Sequence, residues 1–192
     1  VDVATRRCDS IPSSFRCDSG GVGFRIDAPR QPKQMRQQRE RAQFWGPEQL
    51  AAEFVTSMKE AWRPCVEEQL WKHMFSQKME EQLNALQQWM YQVQADIDSI
   101  DEVMDMVLKW LTWLLFNANT QVWKMTLEVL RTLLDSLASR GDQLTDREAQ
   151  ILIPIIAEKS GHNLVAFRES LVAVLLQTRL LYPHMKMMPL LL

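Results

Sequence analysis

The sequence predicts an all-α fold built of consecutive helix hairpins. Two observations predict it. From Gly46 onward apolar residues recur at three- and four-residue spacing, and no stretch alternates apolar and polar as a strand would. The second helices of three successive helix pairs also begin near residues 80, 120 and 164, at intervals of 40 and 44 residues.

The elements follow in order. Gly46-Pro47-Glu48 is a helix start with proline at the first position, and Leu50, Phe54, Met58 and Ala61 continue it. Pro64 breaks that helix near Trp62. A second helix runs from about Cys65 to Phe75, with Val66, Leu70, His73 and Met74 on one face. After Ser76-Gln77-Lys78 a third spans about Glu80 to Gln94, striped by Leu83, Leu86, Trp89, Met90 and Val93. Asp96 to Ser99 reads as a turn carrying N-cap candidates. The next helix reaches Phe116 through Val103, Val107, Trp110, Leu111 and Leu114. Asn117 to Thr120 interrupts it, and another helix continues to Ser139 until Gly141 stops it. Thr145 and Glu148 form a capping box for a helix ending near Lys159-Ser160-Gly161. A further helix runs from Asn163 to Leu181, where Tyr182-Pro183 closes it and a last one starts. Trp89, Trp110 and Trp113 fall in the stripes and belong to the core, whereas Trp123, at a helix start, is expected to be partly exposed.

The intervals match hairpin repeats of the HEAT type, whose period is about 40–47 residues. One such hairpin leaves its apolar face uncovered, so neighbours stack into a solenoid with a continuous core. A single irregular bundle would also suit the short loops; the regular intervals favour the solenoid.

Composition narrows the function. The 192 residues carry 22 Lys+Arg against 24 Asp+Glu, a net charge of -2, which speaks against a nucleic-acid binder. The charge is unevenly spread. Residues 1–45 hold nine Lys/Arg and five Asp/Glu, include Pro12, Gly20, Gly21, Gly23, Pro29 and Pro32, and lack periodicity. That stretch reads as a basic, largely disordered linker, with 46–192 as the folded domain. The most apolar window, Val103 to Phe116, contains Asp105 and Lys109 and falls short of the roughly twenty residues a bilayer needs. Cys8, Cys17 and Cys65 form no paired spacing, and His73, His162 and His184 stand far apart, so neither a disulfide scaffold nor a metal site is expected. Gly20-Gly21-Val22-Gly23 lacks the strand and helix of a phosphate loop. The acidic run Asp96, Asp98, Asp101, Glu102 and Asp105 lacks the glycine and terminal glutamate of a calcium loop. No nucleophile–base set can be assembled, so no catalytic residue and no cofactor is expected.

Particular blocks go further. Lys109-Trp110-Leu111-Thr112, Leu115 to Val122, and Leu127-Glu128-Val129-Leu130 resemble a TOG domain. So do Leu144 to Ala149, Ile153-Pro154, Glu158 to Gly161, Phe167-Arg168 and Leu181-Tyr182-Pro183, over about residues 33–192. The likeness is greatest to the fourth TOG domain of the ch-TOG / Mini spindles family of microtubule polymerases. It implies a paddle of HEAT-type hairpins whose turns line one narrow edge and bind αβ-tubulin or the microtubule lattice. The implied role is microtubule growth and spindle organisation, in the cytoplasm on microtubules, spindle poles and kinetochores. Val1 in place of a methionine, and the apolar ending Met187 to Leu192, lead us to expect a piece of such a domain, incomplete at the C-terminus. An uncovered last helix would then leave the chain prone to self-association.

The resemblance carries over at three turns. The first is Ser76-Gln77-Lys78-Met79, with Lys78 a candidate contact; tubulin-binding members place an aromatic in this turn and this sequence has Met79, which fills an apolar pocket as a weaker anchor. The second keeps Asn119 and Thr120. The third offers Lys159 and His162, with Arg168 on the following helix. Each has a plainer reading: Asn119 as a cap, Lys159 as a complement to the helix dipole, and Arg168 as a solvated charge. Cations on such turns would attract tubulin, a strongly acidic partner. The competing class is a structural helical-repeat scaffold that binds a protein other than tubulin, which the missing aromatic favours.

Overall fold

Three helix hairpins stack side by side into a two-layered solenoid. The computed structural model describes residues 24–29, 31–39 and 52–191. Its helices are α1 (Lys33–Arg39), α2 (Ala52–Trp62), α3 (Glu68–Met74), α4 (Met79–Ala95), α5 (Ile97–Asp101), α6 (Met104–Leu114), α7 (Thr120–Arg140), α8 (Asp146–Lys159), α9 (Val165–Leu181) and α10 (His184–Met187), followed by a 3-10 turn at Met188–Leu190. No strand occurs among the described residues, and none of their helices is long and apolar enough to cross a membrane. The hairpins are α3–α4, α6–α7 and α8–α9. In one layer α4 packs on α7 and α7 on α9; in the other α2 packs on α6 and α6 on α8. This is the HEAT-type architecture that the 40- and 44-residue intervals imply.

Local signals explain most boundaries. Thr145 Oγ1 accepts the Glu148 N–H at 3.3 Å and Glu148 Oε2 accepts the Thr145 N–H at 2.8 Å, so the capping box starts α8. Gly141 closes α7 at φ 76°, a left-handed conformation that glycine adopts without Cβ strain. Every residue of α6 from Met104 to Thr112 is buried, which follows from its place between α2, α7 and α8. The large side chains meet in the first two hairpins. Trp89 lies 5.3 Å from Trp62 and 6.0 Å from Trp110 between ring centroids, and Trp110 Nε1 donates to the Met74 carbonyl at 3.1 Å.

Three expectations change. The helix read from Cys65 begins at Glu68, because Pro64 is followed by a turn in which the Cys65 N–H bonds Trp62 O at 2.9 Å. The segment read as a turn at Asp96 to Ser99 starts a short helix, α5, with Asp96 Oδ1 accepting the Ser99 N–H at 3.2 Å. The third change concerns the basic segment. Residues 1–23, 30 and 40–51, including the Gly46-Pro47-Glu48 helix start, lie outside the described residues. Residues 24–29 and 31–39, however, form a strap on the solenoid. Phe24 meets Trp89 edge-on at 4.8 Å, and the Asp27 N–H bonds Cys65 O at 2.8 Å. Lys33 Nζ lies 2.9 Å from both Asp101 and Glu148. Burial lowers the Lys33 pKa, but the two carboxylates outweigh it and hold the ammonium above its usual value. Arg36 forks onto Asp105 at 2.6 and 3.2 Å and donates to Glu102 O at 2.6 Å. These ties lie where α6 and α8 begin, on the edge opposite the hairpin turns. Ion pairs, a backbone hydrogen bond and the side chains of Phe24 and Ile26 hold the strap, and none of these leaves a periodic pattern.

The outer face of α9 carries Val172, Leu176 and Leu180, of which the last two are 55% and 75% exposed. A contiguous apolar face of this kind drives association in water. The 192-residue chain is therefore expected to self-associate at micromolar concentration. Leu176→Asp with Leu180→Asp should shift it toward monomer in sedimentation velocity. A wild-type chain that sediments as a monomer throughout would refute this.

Candidate functional site

The three hairpin turns form a row along one edge, and side chains join each turn to the next. At the first, Ser76 O accepts from Gln82 Nε2 at 2.7 Å and Ser76 Oγ accepts the Lys78 N–H at 3.0 Å, which shapes the start of α4. Lys78 is exposed, and its ammonium bonds Glu81 at 2.9 Å. That hydrogen bond raises the Lys78 pKa. The Ser76 hydroxyl, followed by Lys78, lowers that of Glu81.

At the second turn Asn119 is the N-cap of α7: its Oδ1 accepts the Gln121 and Val122 N–H groups at 2.8 and 3.3 Å. Its Nδ2 donates to Met79 Sδ at 3.0 Å, while Asn117 Nδ2 donates to Gln82 Oε1 at 2.8 Å. Both contacts cross to the first hairpin. At the third turn His162 Nδ1 accepts the Leu164 N–H at 3.1 Å. The imidazole lies 4.9 Å from the Trp123 ring and 5.6 Å from Phe167, with Trp123 and Phe167 edge-on at 5.3 Å. Lys159 Nζ sits 4.0 Å over the Phe116 ring of the second turn, a cation–π contact, and pairs with Glu158 at 3.4 Å.

The seven candidate residues thus divide into two groups. Lys78, Thr120 and Arg168 are exposed along the row, and the Arg168 guanidinium makes no ion pair among the described residues. Met79, Asn119, Lys159 and His162 are half-buried and join neighbouring turns. Trp123 departs from expectation: it is 7% exposed, because His162 and Phe167 of the next hairpin cover it. Sequence reasoning passed over Lys124, exposed one helical turn into α7, and Leu164, which is 50% exposed at the N-cap of α9. A cation at helix spacing after Thr120 could have signalled the first. A leucine where a polar cap is the rule could have signalled the second.

No group of three or more His, Cys, Asp or Glu side chains among the described residues is placed to hold a metal ion. The exposed Lys78, Thr120 and Arg168 lie on turns joined by the side chains beneath them.

Solved structures share this fold. The chain superposes on a TOG domain structure from C. elegans Zyg9 with a TM-score of 0.77 and 17% identity, over 88% of this chain and 64% of that one. The fold is that of a TOG domain. A second TOG structure, from work on TOG–tubulin binding specificity, microtubule dynamics and mitotic spindle formation, gives a TM-score of 0.68 at 24% identity, covering 72% of this chain and 56% of that one. In sequence, the chain is 28% identical to Protein MOR1 of Arabidopsis thaliana over 124 residues, 65% of this chain and 6% of MOR1. It is 33% identical to the Protein MOR1 of Oryza sativa subsp. japonica over 88 residues, 46% of this chain and 4% of that protein. Centrosomal protein 224 of Dictyostelium discoideum is 26% identical over 129 residues, 67% of this chain and 6% of that protein. The chain therefore spans only 4–6% of the length of these relatives. No protein-family model matches it.

Proposed function

We propose that this chain is a tubulin-binding module, most similar to the fourth TOG domain of a ch-TOG / Mini spindles type microtubule polymerase. In this reading it supports microtubule growth and spindle organisation in the cytoplasm, at spindle poles and kinetochores. The observation that carries the reading is the row of three interlocked turns presenting Lys78, Thr120 and Arg168 along one edge of a TOG fold. The second TOG structure comes from work on tubulin binding, which supports the same partner. Cations on such a row would steer an acidic partner and set register more than they add raw affinity. Asn119, His162, Met79 and Lys159 hold the turns in position, which lowers the ordering cost of binding.

The test is co-migration of the full chain with soluble αβ-tubulin on gel filtration at low and moderate salt. A salt-sensitive complex is expected, weakened about tenfold or more by Lys78→Glu with Arg168→Glu, in line with loss of charge complementarity at an interface. One observation favours a second reading, a helical-repeat scaffold for another protein: Met79 is engaged with Asn119, so the first turn presents no aromatic anchor. A folded chain that forms no complex with tubulin under either condition would establish that second reading in place of the first.

A further inference from the structure

Leu164 breaks a local rule at the edge. It is the N-cap of α9, makes no side-chain cap hydrogen bond, and leaves half its surface in water. Asn119 at the equivalent place on α7 caps two N–H groups. Leucine is among the poorest N-cap residues, costing about 1 kcal/mol against asparagine. An asparagine side chain there could cap α9 and would be better solvated. Met79, Phe116, Trp123 and Phe167 are all at least half-buried, whereas Leu164 and the adjacent Val165 are the large apolar side chains left exposed at the third turn, at 50% and 53%.

Its position is also held firmly. The Leu164 N–H donates to His162 Nδ1, and His162 is fixed by Trp123 and Phe167. The Leu164 carbonyl accepts the Arg168 N–H at 3.1 Å, inside the first turn of α9. In sequence the exposed polar residues Asn163 and Arg168 flank the exposed apolar pair Leu164 and Val165. A rigid apolar tip with a polar rim is the anatomy of an interface anchor. Local rules broken without a structural return mark functional positions.

We propose that Leu164 is the apolar anchor of the edge: it enters an apolar depression on the αβ-tubulin surface and replaces the aromatic that the first turn lacks. The inference rests on the tubulin-binding reading and adds to it the residue that supplies the desolvated contact. Leu164 then sets which tubulin surface the third turn selects, and Lys78 and Arg168 supply long-range attraction.

Leu164→Asn separates anchoring from folding, because the two effects have opposite signs. The substitution supplies a proper cap, so the melting temperature should hold or rise. Affinity for αβ-tubulin in fluorescence titration should fall about tenfold, while the salt dependence of the remaining binding stays as in the wild type. Leu164→Met, which keeps an apolar tip, should retain affinity within about threefold. Unchanged affinity in Leu164→Asn, with wild type binding tubulin, would overturn the anchor and leave the edge reading standing. A fall in melting temperature would assign Leu164 a structural role and also overturn it. A folded wild type that does not bind tubulin would overturn both readings.

Discussion

Arg36→Ala is expected to destabilise the folded chain by about 3–5 kcal/mol, the range for removing one partner of a buried ion pair. The Asp105 side chain is 2% exposed and the Arg36 side chain 12% exposed, so truncation strands a carboxylate away from water. The guanidinium also satisfies Glu102 O and Gln31 O at 2.6 Å each, and these two bonds are lost with it. Arg36→Lys restores the charge without the planar fork and should recover part of the loss. Arg36→Met with Asp105→Leu removes both charges and should be milder than Arg36→Ala alone, because no uncompensated carboxylate remains. Urea denaturation followed by tryptophan fluorescence measures all three. A change below about 1 kcal/mol in Arg36→Ala, the scale of a surface ion pair, would show that the strap does not belong to the cooperative unit.

Trp89→Ala should cost a comparable amount, about 3–5 kcal/mol, as large-to-small core substitutions of Trp do. Trp89 is fully buried and touches Phe24 of the strap, Trp62 of α2 and Trp110 of α6. Its loss opens a cavity where the first hairpin, the second hairpin and the strap meet. Trp89→Phe should be far milder, since the indole N–H of Trp89 has no hydrogen-bond partner among the described residues and phenylalanine retains much of the ring contact. Trp110→Phe should cost more than Trp89→Phe, because it leaves the Met74 carbonyl without its donor. Equal costs for the two Phe variants would refute the assignment of the Trp110 hydrogen bond as the difference.

Both predictions involve contacts that sequence reading could not supply, although the elements that carry them were legible. The stripe of Leu83, Leu86, Trp89, Met90 and Val93 placed α4 within one residue at each end, because periodicity and exposure report on a helix's own neighbours. The capping box of α8, the glycine stop of α7 and the asparagine cap at residue 119 were legible for the same reason: each acts within about four residues. The contacts of residues 31–39 were not legible. Their partners lie 66 to 69 positions away at Asp101, Glu102 and Asp105, and farther still at Glu148, and a lysine bound for a buried carboxylate looks in sequence like any solvated lysine.

The candidate edge divides along the same line. Sequence alone determined that this protein is a row of helix hairpins, where its turns fall, and which cations and caps those turns contain. Tertiary structure decided which of those side chains remain exposed. Lys159 is half-buried over Phe116, His162 is enclosed by Trp123 and Phe167, and Met79 is bonded to Asn119, whereas Lys78, Arg168 and Leu164 remain exposed. The physical reason is one of range. Capping and periodicity are settled by a few neighbouring residues, but exposure at a turn is settled by the next hairpin in the stack, about 40 residues away in sequence.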